Sequence, residues 1–152
     1  LKEYGLEQYE ISNYAKPGCE CRHNIGYWKR VDYLGFGPGA ASLLENRRFT
    51  NTTDVRKYLA DSGQPEKIRE NTEQLSQQDC MEEFMFLGLR MNEGISEQEF
   101  RRLFGKTVDE VYRPVLEKYL KLEMLWRTGG RIGLTRQGVS VSNVIMAEFL
   151  LE

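Results

Sequence analysis

At about residue 74 the spacing of apolar residues changes, and this change constrains the fold more than any other feature of the 152-residue chain. Before it, apolar residues come in short runs broken by glycine and proline. After it they recur every three to four residues, behind signals that open and close helices. The segregation predicts an α+β fold, with extended segments first and a mostly helical part second.

In the first part, Tyr9, Ile11 and Asn13 alternate with Glu10, Ser12 and Tyr14, which predicts a short strand ended by Lys16-Pro17-Gly18. A second strand is expected over Tyr33 to Phe36. It runs into Gly35-Phe36-Gly37-Pro38-Gly39-Ala40-Ala41-Ser42, where glycines at alternate positions let the backbone come close to a neighbour or a ligand. A hairpin around Glu45-Asn46 and a short helix from Thr53 to Gly63 follow, and the acidic run from Glu66 to Glu83 reads as a solvated face.

In the second part, Ser76 with Asp79, Ser96 with Glu99 and Thr107 with Glu110 have the spacing of capping boxes. The first opens a helix with Cys80, Met81, Phe84, Met85, Leu89 and Met91 on its apolar side, expected to run until Gly94. Gly105 closes the second, and Pro114 is expected to kink the third. Gly129-Gly130 is the two-residue turn of a hairpin, and Thr135 caps a last helix. Helices, a hairpin wing and a closing helix together resemble a winged-helix arrangement.

Composition narrows the function classes. Hydrophobic residues at 40% and charged residues at 29% exclude disorder. A net charge of -2 gives no electrostatic reason to expect nucleic acid or an anionic membrane as partner. No apolar run reaches the length of a membrane-spanning helix. Three cysteines, Cys19, Cys21 and Cys80, are an odd and sparse set for a secreted scaffold, which points to a reducing cytoplasm. The chain starts at a leucine without a secretory signal and is expected to belong to something longer.

The only histidine, His23, lies in the densest chemistry of the chain, Cys19-Glu20-Cys21-Arg22-His23-Asn24-Ile25-Gly26-Tyr27-Trp28. A neutral imidazole can ligate heme iron or a divalent metal, and Tyr27 and Trp28 offer flat faces for a porphyrin or a purine. A plain loop histidine and two aromatic core anchors account equally for the pattern, and the C-x-C-x-H cluster lacks a regularly spaced fourth zinc ligand. The glycine stretch 35 to 42 lacks the lysine of a phosphate-binding loop, and a tightly packed strand end explains it as well as a cofactor edge does. Met81, Met85 and Met91 read as core.

Taken in order, Tyr9-Glu10-Ile11-Ser12-Asn13-Tyr14-Ala15, Cys21-Arg22-His23-Asn24, Tyr27-Trp28, Tyr33-Leu34-Gly35-Phe36-Gly37-Pro38-Gly39-Ala40, Leu87-Gly88-Leu89-Arg90, Glu93-Gly94-Ile95 and Leu134-Thr135 with Gly138 resemble one family. It is that of the oxygen-independent coproporphyrinogen III oxidase-like radical SAM proteins, in the heme-chaperone branch marked by H-N-x-x-Y-W. The resemblance implies the last strands of a partial (β/α) radical SAM barrel over about residues 1 to 50, and a mostly helical, winged-helix-like C-terminal domain over 51 to 152.

It implies heme or porphyrin as ligand, a recipient hemoprotein as partner, and heme contacts at His23, Tyr27 and Trp28. Gly37, Gly39 and Ala41 fall in the loop that faces the S-adenosylmethionine and substrate cavity in the oxidase relatives. The family's [4Fe-4S] cluster and S-adenosylmethionine need a C-x-x-x-C-x-x-C motif that this sequence lacks, so the chain is expected to be inactive alone, with the cluster ligands outside it. Ala41 also stands where the family commonly has a second histidine. Oxidative decarboxylation of coproporphyrinogen III and a winged-helix interaction module are the alternative readings.

Overall fold

The computed structural model describes residues 1–151, the side chain of Lys2 excepted. Their contacts divide the chain into two compact units that do not follow chain order. One joins Leu1–Arg30 to Met81–Glu152, and the other is Val31–Cys80. A boundary at residue 50 would fall inside a strand, β4 (Arg47–Asn51).

The first unit begins with a small antiparallel pair, β1 (Glu7–Gln8) and β2 (Tyr14–Ala15). Of the strand expected over residues 9 to 14, only Tyr14 lies in a strand, opening β2, and residues 9 to 13 are the turn between β1 and β2. Glu10 closes that turn, its carboxylate accepting the Ser12 amide at 2.9 Å and the Asn13 side-chain amide. The turn is sewn to a distant segment: the Ile11 amide donates to the Arg90 carbonyl and the Asn92 amide to the Tyr9 carbonyl, each at 3.1 Å. A short helix, α1 (Arg22–Trp28), follows.

The later helices are α4 (Gln77–Gly88), whose first turn still belongs to the second unit, α5 (Glu97–Phe104) and α6 (Val108–Lys121). The Ser76–Asp79 and Thr107–Glu110 pairs cap reciprocally as expected, while at α5 Ser96 accepts from the Glu99 amide and Glu99 turns to Arg102. Helix α4 stops at Gly88 rather than Gly94, and the Arg90 and Met91 amides then bond three residues back, to the Leu87 and Gly88 carbonyls, in turns. Gly88 packs directly on Ile95, where a Cβ would collide. Pro114 breaks the ladder of α6, and the kink is visible at Tyr112, with φ -122° and ψ 16°.

The core joining these helices is aromatic. Phe84, Phe100, Phe104, Tyr112 and Phe149 meet edge to face with ring centroids 4.8 to 6.1 Å apart, each such pair adding about 0.5–1.5 kcal/mol beyond its buried area. The hairpin β7 (Leu125–Thr128) and β8 (Arg131–Leu134) turns at Gly129 and Gly130, both with positive φ. With β6 (Ile95–Ser96) it forms a three-stranded antiparallel sheet in the order β6-β8-β7, the expected wing plus a strand too short to read in sequence. The expected closing helix is two, α7 (Arg136–Ser140) and α8 (Ser142–Ala147), divided at Val141.

The second unit is an antiparallel sheet of β3 (Ala41–Leu44), β4 and β5 (Arg69–Gln74), with α2 (Val55–Asp61) and α3 (Pro65–Ile68) between β4 and β5. Glu45 and Asn46 both take positive φ, as a tight hairpin turn requires. Leu43, Phe49 and Ile68 form its buried centre. The strand expected over 33 to 36 shrinks to one bridge between Tyr33 and Leu43, and β5 arises within the acidic run read as a mere solvated face. Every strand pair among the described residues is antiparallel, no helix is long and apolar enough to cross a membrane, and the whole is α+β.

Candidate functional site

Helix α1 presents the histidine motif, and little within α1 itself holds it. It has seven residues, includes Gly26, buries none of its residues, and Cys21 at its N-cap makes no side-chain capping bond. Isolated helices this short do not persist in water. His23 is exposed in the first turn, and its ring meets Tyr27, one turn on, edge to face at 4.6 Å. Among the described residues the imidazole makes no hydrogen bond or ion pair.

The anchors of α1 lie at its end, where three consecutive residues reach the α4 side of the unit. The Trp28 indole is covered by the Arg90 guanidinium, 4.2 Å from its centroid. Lys29 pairs with Glu93 at 2.7 Å. Arg30, which takes positive φ just past the helix, pairs with Glu83 at 2.8 Å, both side chains being about 90% buried. Arg90 in turn faces the fully buried Glu10 at 3.3 Å and the Ser12 hydroxyl at 3.3 Å.

Three stretches that looked like separate motifs in sequence, around Glu10, Trp28 and Arg90, are therefore one cluster. Sequence reasoning missed Glu10, Glu83 and Arg90 as its members. The one available signal was an acid or base placed among apolar neighbours. Trp28 also lines two depressions, of about 360 Å³ beside Phe84, Met91 and Leu103 and about 420 Å³ beside Phe86, Met146 and Leu150.

In the other unit, Gly37 and Gly39 take positive φ and Ala41 opens β3. The backbone donors of this loop are used internally: Gly35 donates to the Ser42 hydroxyl, Gly37 to the Tyr58 hydroxyl, Gly39 to the Thr52 carbonyl and Ala40 to the Gly37 carbonyl, at 3.0 to 3.3 Å. The buried Asn51 amide, a residue absent from the sequence expectations, clamps the Gly35 and Gly37 carbonyls at 3.1 and 3.0 Å. A Cβ at Gly35 would strike the Ala41 carbonyl. Packing thus accounts for Gly35 and positive φ for Gly37 and Gly39, and what the loop offers outward is the almost fully exposed ring of Phe36. Helix α2 is tied to β5 by Lys57 and Glu70 at 2.9 Å, and the Lys57 ammonium holds the Glu70 carboxyl below the usual range.

Cys19 and Cys21 are exposed and Cys80 is buried, all three as free thiols. Among the described residues no group of three His, Cys, Asp or Glu side chains is placed to hold a metal ion. A [4Fe-4S] cluster, which needs three converging thiolates, does not fit these residues.

Residues 75–141 match the family model described as the HemN C-terminal domain. The chain is 34% identical to the heme chaperone HemW of Bacillus subtilis over an alignment of 155 positions, covering 100% of this chain and 40% of that protein. It is 34% identical to the heme chaperone HemW of Lactococcus lactis and 30% identical to that of Escherichia coli, again over 100% of this chain and 40% of theirs. Among solved structures, coproporphyrinogen III oxidase (HemN) from Escherichia coli, described as a radical SAM enzyme, superposes with a TM-score of 0.71 at 15% identity. That match covers 99% of this chain and 38% of the other. The chain thus spans about 40% of the length of the relatives it matches.

Proposed function

Because the chain belongs to the family of oxygen-independent coproporphyrinogen III oxidase-like radical SAM proteins, in its HemW-like branch, we propose that it takes part in binding heme and handing it to a recipient hemoprotein. Heme is the cargo. His23 supplies an axial imidazole to its iron, and Tyr27 and Trp28 pack near the macrocycle. The Gly37, Gly39 and Ala41 loop serves as a cofactor-facing surface, through its Cα edges and the Phe36 ring rather than its engaged amides. The setting is a reducing cytoplasm, consistent with three free thiols.

The observation that carries the reading is the exposed His23 imidazole, which makes no hydrogen bond or ion pair among the described residues and meets the Tyr27 ring edge to face. A ring nitrogen without a protein partner is free to bond iron, and a neighbouring aromatic edge limits how the imidazole turns. Release to another protein favours a ligand at the surface over one in a closed pocket.

Titrating heme into the full chain, wild type and H23A, tests this. The expected result is a shifted Soret band that saturates in the wild type, and an altered band with at least roughly tenfold weaker binding in H23A, the loss of one coordinate bond being worth more than 1.4 kcal/mol. Identical spectra and affinity in the two proteins would sink the assignment.

A further inference from the structure

We infer that Arg90 is a positioning residue for His23: its guanidinium, held by Glu10 and set over the Trp28 ring, fixes the end of α1 and through it the direction in which the imidazole is presented. The inference rests on the proposed role of His23.

The argument starts from the weakness of α1. A seven-residue helix with a glycine inside, no side-chain N-cap and no buried residue has no conformation of its own to defend. The placement of His23 is set from outside, and three of the supports act on residues 28 to 30. Among them the Lys29 pair is half exposed and screened by solvent, so it holds weakly. Arg30 with Glu83 is a buried pair, but it fixes the chain beyond the helix. Of these three, Arg90 grips a residue of α1 itself, over the ring of Trp28, one residue past Tyr27 and one and a half turns from His23.

The chemistry of the grip points to placement rather than stability. The Trp28 indole N–H and the Arg90 Nε–H are both buried without a hydrogen-bond partner. Each such donor costs free energy that an apolar pair of the same shape would not. What the arrangement supplies instead is geometry. The guanidinium lies over the indole ring, and the Nη2 contacts to the Glu10 carboxylate and the Ser12 hydroxyl oppose its rotating away. Glu10 is itself fixed by the turn it closes and by the backbone bridge to Met91.

The test compares wild type, R90A, R90K and H23A as full chains by NMR and by heme titration. The His23 ring resonances are those missing from H23A, and the Tyr27 ring shifts them from the position of a free imidazole. In R90A and R90K this shift is expected to fall by at least about half, since lysine keeps the charge toward Glu10 but has no flat face to lay on Trp28. Heme affinity should drop about tenfold in both, and free imidazole should restore the wild-type absorption spectrum, because an external ring then fills the axial position.

Unmoved His23 resonances in R90K and R90A overturn the inference, as does a loss of heme binding that free imidazole does not rescue. Should R90A fail to fold, R90K carries the test. Moved resonances with full heme binding by H23A would support the positioning role while sinking the heme ligand, so the two ideas fail separately.

Discussion

Tyr112 buries its ring completely between Phe100 and Phe149, yet its hydroxyl has no hydrogen-bond partner. Burial, with the Glu82 carboxylate adding to it, pushes the phenol well above its usual range, so the group stays protonated. Removing that oxygen leaves the packing intact and relieves an unpaired polar atom. Y112F is therefore expected to keep the wild-type stability or gain up to about 1 kcal/mol, read as an unchanged or higher denaturant midpoint at constant slope. A lower midpoint would mean the hydroxyl has a partner. The contrast with Glu83 shows what a sequence conveys at this scale. Within the run from Glu66 to Glu83 every acid looks solvated, but Glu83 is buried because Arg30, 53 residues away, folds onto it. Local charge pattern carries no record of a partner that distant.

Helix α6 shows what is legible in an element and what is not. Its start is written in Thr107 and Glu110, which cap each other's backbone amides, and T107A is expected to cost about 1 kcal/mol, seen as a lower melting temperature. Its kink is written in Pro114. Its attachment to the wing is not: Arg127 on β7 forks onto Asp109 and also meets Glu97. The Arg127 guanidinium holds the Asp109 carboxyl below its usual range. A depressed carboxylate stabilises the fold above its unfolded pKa and loses that contribution as pH falls through the folded value. Wild type is thus expected to exceed D109N in stability at neutral pH, with the difference fading as the solution is acidified below the ordinary carboxylate range. A pH series of thermal melts checks it, and a constant difference would contradict it. Strand β5, reading Arg-Glu-Asn-Thr-Glu-Gln, shows the opposite limit. It has no apolar alternation, because it is an edge strand with mostly exposed side chains, and only the neighbouring β4 reveals it.

At the scale of the whole molecule, the sequence suggests two stretches in order, but the contacts join the first 30 residues to the last 72. The reason is a backbone suture that no local pattern announces: Tyr9, Glu10 and Ile11 pair with Arg90, Met91 and Asn92, and Asn92 also reaches the Gln8 carbonyl. The motif Tyr9-Glu10-Ile11-Ser12-Asn13 was visible as a string and its partner Leu87-Gly88-Leu89-Arg90 as another. That they touch was not, since period and spacing describe neighbours along the chain only. The suture ties the segment after α4 to the N-terminal residues, and hydrogen exchange can read this at single amides. In a chain lacking residues 1–30, the Asn92 amide loses its acceptor, the Tyr9 carbonyl, and its exchange is expected to speed up by about tenfold or more. The Leu89 amide, bonded at 2.9 Å to the Met85 carbonyl within the same segment, keeps its acceptor and serves as the internal reference. Equal slowing of both amides relative to an unfolded chain, with or without residues 1–30, would show that the helical part stands alone and that the N-terminal segment merely rests on it. Selective loss at Asn92 would instead show that the suture is a bond made by residues 1–30, the contact beside which Glu10 holds Arg90 and Arg90 holds Trp28, while loss of protection at both amides would mark residues 1–30 as part of the same cooperative unit.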